Sequence, residues 1–204
     1  VEALGRRFMT MEVDLLDASA ADLNEYVKQV VDELGSVDIL VNNAGIIRRS
    51  PALEHPEADW DEVMQVNLKA AFLLSQAAAA RFVEQGEGGK VINIASMLSY
   101  QGGILIPSYT ASKTAIMGLT RALANEWAKH GINVNAIAPG YMVTDNTEPL
   151  RQNKERYESI TERIPAGRWG DPQDLKGAAV FLASAASDYV HGFTIAVDGG
   201  WLSR

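Results

Sequence analysis

The stretch VDILVNNAG, residues 37–45, is the part of the sequence that decides the fold. Its first five residues form a short apolar run, which is typical of a strand buried in a parallel sheet. Asn42, Asn43 and Gly45 favour a turn directly after this run. We therefore predict a buried strand at residues 37–41 that ends at Asn42.

Strands and helices alternate on both sides of this stretch. Residues 7–14 are predicted to form a strand, and Ser19 with Asp22 predicts the start of a helix that ends at Gly35. The other predicted elements are a helix over about 57–83, a strand over 90–94, a helix over 109–129, a strand over 132–137, a helix opened by Asp171 and Pro172, and a strand over 193–197. The alternation predicts an α/β fold, with a doubly wound, Rossmann-like parallel sheet in three layers.

Composition excludes several classes of function. The 204 residues carry a net charge of -8 and gather no Lys/Arg cluster, so we expect one domain over residues 1–204 and no nucleic-acid partner. No apolar run is long enough to cross a bilayer, so we expect no membrane partner and a cytoplasmic protein. The chain has no cysteine, and its three histidines lie far apart in sequence, so we expect no metal site.

The strongest chemical pattern is SYTASK, residues 108–113. Tyr109 and Lys113 are four residues apart, so they lie on one face of the predicted helix. An adjacent ammonium favours the phenolate form of a tyrosine and lowers its pKa. Ser96 follows the neighbouring strand, and the three groups together would suit proton transfer at a carbinol or carbonyl oxygen. The pattern alone also allows a simple packing role for Tyr109.

Several motifs in order resemble the short-chain dehydrogenases/reductases over essentially the whole chain. These motifs are NNAG at 42–45, Asn67 in VNLKAA, Ser96 in INIAS, Tyr109 and Lys113 in YTASK, and Pro139 with Gly140 in NAIAPGYMVT. The resemblance implies that Tyr109 is the general acid/base and that Lys113 lowers the pKa of Tyr109 and binds the nicotinamide ribose. It also implies that Ser96 positions the substrate oxygen and that Asn67 anchors a relay water.

The resemblance also implies a nicotinamide cofactor, for which we expect NAD, with NADP left open. The expected cofactor-binding residues are Asp14, Asn42, Ala44, Gly45, Tyr109, Lys113, Pro139, Gly140, Met142 and Thr144. Other interpretations of these positions exist, since Gly45 and Gly140 would also serve as plain turn residues and Asp14 as a surface charge.

Within the family, long runs such as INIASMLSYQGGILIPSYTASK are similar to bacterial sugar-acid dehydrogenases. A sugar acid needs a cation for its carboxylate, and a guanidinium matches a carboxylate best. We expect Arg48, with Arg49 beside it, at the mouth of the cleft, and Gln101, Tyr141 and Asn146 as hydroxyl partners. Both arginines would equally suit a solvated surface or a subunit contact.

The two ends of the chain and one connection carry further expectations. The family begins with a strand, a turn of the form T-G-x-x-x-G-x-G, a helix and a second strand, and nothing similar precedes GRRFMTMEVD. We therefore expect a sequence that lacks the family's first two strands. The family's last strand commonly lies in a subunit interface, which implies a homotetramer, with Trp201 either as a packing residue or as a residue that reaches the site of a neighbouring subunit. Residues 141–168 are long for a connection and are predicted to cover the site as a lid.

The resulting functional hypothesis is an NAD-dependent oxidoreductase that acts on a ketone or secondary alcohol of a small deoxy sugar acid. The alternative enzymes are another carbonyl reductase of the family, such as a gluconate 5-dehydrogenase or a 3-oxoacyl reductase. A different class is a dinucleotide-binding protein without activity, or an inactive truncated fragment.

Overall fold

The strand predicted from VDILVNNAG is the first strand of a four-stranded parallel sheet in the computed structural model, which describes residues 1–204. The strands are β1 (Ile39–Asn42), β2 (Gly89–Ile94), β3 (Ile132–Pro139) and β4 (Thr194–Val197), in the spatial order β1-β2-β3-β4. All neighbours pair in parallel, and Asn42 pairs with Asn93 at the carboxyl end of the sheet. The predicted order of the strands after residue 36 is therefore confirmed.

Helices cover both faces of this sheet. They are α1 (Ala20–Leu34), α2 (Glu57–Met64), α3 (Ala71–Gln85), α4 (Pro107–Trp127), α5 (Glu148–Gln152), α6 (Lys154–Arg163) and α7 (Lys176–Ala183). Successive residues of a strand face opposite sides, so Val91 packs with Phe82 of α3, whereas Ile92 packs with Leu182 of α7. The arrangement is the predicted three-layer α/β fold. No helix is both long and apolar enough to span a bilayer.

The segment at residues 7–14 is not a strand, so that prediction was wrong. It runs beside α1, where Val13 packs near the buried Leu23 and the Arg7 guanidinium donates to the carbonyls of Glu33 and Leu34. A strand needs a neighbour for its backbone groups, and β1 pairs only with β2. The outer edge of β1 is correspondingly open, and Ile39 and Val41 are 44% and 48% exposed, so the prediction that this strand is buried was wrong.

The predicted long helix is present as one rod from Glu57 to Gln85, with a π-helical turn at Gln65–Ala70 in its middle. Such turns occur mostly as single bulges and frequently at functional sites. Here the turn contains Asn67, which is buried. The rod ends at Gly86, whose φ of 75° is the left-handed conformation that glycine adopts without strain.

The long connection after β3 contains the short helices α5 and α6. Leu150, Ile160 and Arg163 of these helices line a cavity beside the carboxyl end of the sheet. Ile160 and Ile164 join an apolar cluster with Trp169 and Trp201, which holds the segment against the body of the protein. The connection therefore covers the site as an ordered helical wall.

Candidate active site

Three predicted catalytic residues come together at the carboxyl end of β2. Ser96 lies two residues after the end of β2, and its hydroxyl accepts a hydrogen bond from the Leu98 N–H at 3.1 Å. Pro107 occupies the first helical position of α4, where a missing N–H costs nothing, so Tyr109 lies in the first turn. The Tyr109 phenol and the Ser96 hydroxyl border the same two cavities. The two groups can therefore address one substrate oxygen.

The phenol of Tyr109 is protonated in this environment at neutral pH. Burial raises its pKa, because the phenolate would lose hydration. The hydrogen bond with Ser96 and the positive charge of Arg49 act in the opposite direction. Tyr109 therefore keeps its phenolic proton at neutral pH.

Lys113 lies one turn after Tyr109 and is buried, with 4% of its surface exposed. Its ammonium donates to the Ile94 carbonyl at 2.6 Å and lies 5.7 Å from the centre of the Tyr109 ring. Burial lowers the pKa of Lys113 to about 8. The lysine therefore carries a positive charge at neutral pH beside the end of β2.

Asn67 ties the loop after β1 to α4. Its Oδ1 accepts from the Ile46 N–H at 2.8 Å, and its Nδ2 donates to the Ile46 carbonyl at 2.9 Å. Nδ2 also donates to the Ser112 hydroxyl at 3.2 Å. These contacts give Asn67 a defined structural task, and the predicted role in holding a relay water stays a prediction.

Two cavities meet at the catalytic residues. One, of about 330 Å³, is lined by the predicted substrate residues Gln101, Tyr141 and Asn146. The other has about 480 Å³, and the predicted cofactor residues that line it are Ala44, Gly45, Tyr109, Lys113, Pro139, Gly140, Met142 and Thr144. Both cavities include Ser96, Tyr109 and Gly140. A reactant in each cavity would therefore meet the other beside the phenol of Tyr109.

The second cavity fits the nicotinamide end of a dinucleotide. Gly45 brings the backbone close to Asn67 and Lys113, since a Cβ atom there would lie 3.4 Å from Asn67 Oδ1 and 3.6 Å from Lys113 Nζ. The lining of this cavity combines the ammonium of Lys113 with apolar surface from Pro139 and Met142. Such a mixture of apolar walls and few polar groups is typical of cofactor sites.

Two predicted cofactor residues do not line this cavity. Asn42 turns inward, where its Nδ2 donates to Asn93 at 2.8 Å and to Ser75 at 2.9 Å. Asp14 caps the turn that follows it by accepting from the Leu16 N–H at 2.9 Å. The alternation of side chains at the end of β1 decides the orientation of Asn42, which the motif NNAG does not reveal.

Arg48, the predicted partner of the substrate carboxylate, does not reach the substrate cavity. Its guanidinium is 2.6 Å from Glu62 and lies outside the substrate cavity. Arg49, the next residue, lines that cavity instead, and its Nη2 donates to the Asn146 carbonyl at 2.8 Å. Neighbouring residues of an extended loop point to opposite sides, so only one of the two arginines can face the cleft.

Sequence reasoning missed two further arginines of this cavity, Arg156 and Arg163 on α6. They are seven residues apart, which places them on one face of a helix, and this spacing inside the predicted lid was the signal available. No Asp or Glu side chain lines the cavity. With Arg49 they make it a cationic site in a protein whose net charge is -8.

A family model described as enoyl-(acyl carrier protein) reductase, one of the short-chain dehydrogenase models, matches residues 1–202. The chain belongs to the short-chain dehydrogenase/reductase family. This membership agrees with the parallel sheet and with the positions of Ser96, Tyr109 and Lys113.

Relatives within the family include sugar-acid enzymes. The chain is 64% identical over 204 residues to a 2-dehydro-3-deoxy-D-gluconate 5-dehydrogenase from Dickeya dadantii, covering 100% of this chain and 80% of the relative. It is 63% identical to the enzyme of the same name from Escherichia coli, with the same coverage. A gluconate 5-dehydrogenase from Burkholderia cenocepacia, solved in complex with NADP and tartrate, is 41% identical with a TM-score of 0.90 and covers 94% of this chain and 74% of that one.

Proposed function

We propose that this short-chain dehydrogenase/reductase uses NAD or NADP to interconvert a ketone and a secondary alcohol of a small deoxy sugar acid, of the 2-dehydro-3-deoxy-D-gluconate or 2-deoxy-D-gluconate type. The observation that carries the proposal is the cavity of about 330 Å³ that joins Ser96 and Tyr109 to three arginines. A cavity with cations and no carboxylates favours an anionic substrate. The proposal treats residues 1–204 as one oxidoreductase domain.

Side chains of this protein transfer the proton of the reaction. In the direction of reduction, Tyr109 donates its phenolic proton to the carbonyl oxygen, and in oxidation the phenolate accepts the proton of the alcohol. Ser96 donates a hydrogen bond that fixes this oxygen, and the charge of Lys113 favours the phenolate and binds ribose hydroxyls. The nicotinamide, when bound, supplies or accepts the hydride. Asn67 holds the proton-relay water in this proposal.

The relatives support the sugar-acid substrate. Two curated enzymes at 64% and 63% identity carry the name 2-dehydro-3-deoxy-D-gluconate 5-dehydrogenase. A gluconate 5-dehydrogenase is the second candidate, because a solved relative of that name contains NADP and tartrate. A 3-oxoacyl reductase is less well supported, since an acyl chain offers no partner to Arg156 and Arg163.

We propose a homotetramer in which the open edge of β4 and the neighbouring face of α7 lie in an interface. Val180 and Phe193 in this region are 67% and 61% exposed, which is unusual for large apolar side chains. We further propose that the enzyme acts in the cytoplasm.

The test is turnover by purified protein with NAD and NADP on deoxy sugar acids, gluconates and acyl thioesters. We expect activity on the deoxy sugar acids, and Tyr109→Phe should lower kcat by about 100-fold or more because a general acid/base contributes 10²–10⁴-fold. Tyr189→Phe, which removes the same hydroxyl from a fully exposed side chain, is the matched control. Activity on acyl thioesters alone would refute the proposed substrate.

A further inference from the structure

We infer that the substrate carboxylate binds at the end of the cavity formed by Arg163 and Gln101, and that Trp201 is the positioning residue that orients both side chains. This inference rests on the proposed function and assigns its substrate contacts. The three residues line one cavity, although they come from α6, the loop after β2 and the C-terminal segment.

Trp201 orients the guanidinium of Arg163 by stacking. The guanidinium carbon lies 4.0 Å from the centre of the indole ring, which leaves the N–H edge of the fork free. Trp201 itself is only 4% exposed and packs edge-on against Tyr141, with 4.9 Å between the ring centres. Arg163 has no acidic side chain within ion-pair distance. A planar cation is therefore held in place without a partner for its charge.

The same indole determines which end of Gln101 faces the cavity. The Trp201 Nε1–H donates to Gln101 Oε1 at 3.2 Å. An indole N–H is only a donor, so it must meet the oxygen of the amide, and the NH₂ group is the end left available. Two donors, one charged and one neutral, thus contact the same indole in one cavity. A carboxylate satisfies both, because each of its oxygens accepts hydrogen bonds.

The other two arginines of the cavity suit this task less well. The guanidinium of Arg49 donates to the Asn146 carbonyl, and its charge acts on the phenol of Tyr109 at the reacting end. Burial raises the pKa of Tyr141, and the charges of Arg156 and Arg163 oppose this rise, so both lie toward Tyr141. No aromatic ring holds Arg156, which lies on α6 two turns before Arg163.

The experiment compares a deoxy sugar acid with its carboxamide, which has the same shape without the charge. We expect Arg163→Gln to raise KM for the acid by about 10- to 100-fold, with kcat changed by less than about 3-fold, and to leave KM for the amide unchanged. Arg163→Lys should recover only part of the loss, because an ammonium lacks the planar fork. Arg121→Gln, which removes an arginine outside the cavity, is the charge-matched control.

Variants of the other two residues separate the positioning role from simple packing. Trp201→Phe keeps a ring under Arg163 and should raise KM for the acid by only a few fold, whereas Trp201→Leu should resemble Arg163→Gln. Gln101→Glu replaces the NH₂ donor by a carboxylate oxygen and should also raise KM selectively for the acid. The amide substrate reports on the integrity of each variant.

The outcomes distinguish this inference from the proposed function. If the wild-type enzyme converts no sugar acid, the proposed function is refuted. If the wild type prefers the acid over the amide and Arg163→Gln keeps that preference, or if Arg49→Gln alone abolishes it, the assignment to Arg163 is overturned while the function stands.

Discussion

The side chain of Asn67 binds both polar groups of the Ile46 backbone, accepting from its N–H at 2.8 Å and donating to its carbonyl at 2.9 Å. The Asn67 amide thereby satisfies the hydrogen-bonding groups of the Ile46 backbone, as a neighbouring strand does for an extended chain. Because Asn67 lies in the π-helical turn, the irregular helix and the loop that borders the cofactor cavity depend on each other.

Replacement of Asn67 should therefore destabilise the protein. Asn67→Leu keeps the branched shape of the side chain but leaves the Ile46 N–H and carbonyl without partners, and we expect a loss of about 2–4 kcal/mol in the free energy of unfolding. Chemical denaturation measures this loss. Asn67→Asp keeps an acceptor for the Ile46 N–H but places a second carboxylate oxygen against the Ile46 carbonyl, so we expect it to destabilise the protein as well. Wild-type stability in either variant would contradict the expected role of Asn67.

Lys113 should make stability depend on pH above neutrality. Its pKa is about 8 in the folded protein and 10.5 in its ordinary state. Below pH 8 both states carry the charge, and the folded state bears the cost of burying it, at most about 3 kcal/mol. Between these two values the unfolded chain holds the proton and the folded chain does not, so the contribution of Lys113 to stability rises with pH.

The variant Lys113→Met removes this titration. We expect the stability difference between Lys113→Met and the wild type to shift in favour of the wild type as the pH rises from 8 to 10.5. The lost hydrogen bond to Ile94 adds only an offset that does not change with pH. Lys176→Met, at an exposed position, is the control and should show no such shift.

The two adjacent arginines should differ in their effects on catalysis. The charge of Arg49 lowers the pKa of Tyr109, so Arg49→Gln should raise that pKa. The value of kcat/KM for alcohol oxidation rises with pH as the phenol of Tyr109 ionises. In Arg49→Gln this rise should occur at a higher pH. Arg48→Gln removes a half-exposed pair with Glu62, and we expect the pH profile to stay where it is. An equal shift of the pH profile in both variants would refute this difference between Arg48 and Arg49.

Gly140 lies where β3 passes the C-terminal segment. A Cβ atom there would be 2.6 Å from the Cα of Asp198, which is backbone and cannot move aside cheaply. Gly140→Ala should destabilise the protein by about 1–3 kcal/mol and lower activity, because Gly140 borders both cavities. Gly118→Ala is the matched control, since nothing lies within 4 Å of its added Cβ, and it should stabilise α4 slightly. Thermal unfolding of the two variants checks both signs.

Local sequence patterns were sufficient to predict the helices and strands whose ends are marked by residues close to them in the chain. The capping pair Ser19 and Asp22 starts α1, and the helix predicted over 109–129 corresponds to α4, which carries Tyr109 and Lys113. These patterns placed Ser96, Tyr109 and Lys113 together, because strand ends and first turns of helices meet at one edge of a parallel sheet. The strand predicted at residues 7–14 is absent, because a strand needs a neighbouring strand to pair with, and the local sequence does not show whether one is present.

The sequence by itself determined the alternation of strands and helices, the family motifs and the reacting groups, because each depends on residues close together in the chain. The tertiary structure alone decided that Arg49 faces the substrate cavity while Arg48 pairs with Glu62, and that Asn42 turns into the core. It also brought Trp201 under Arg163. Such choices depend on side-chain direction and on contacts between distant segments, which packing selects and local pattern does not encode.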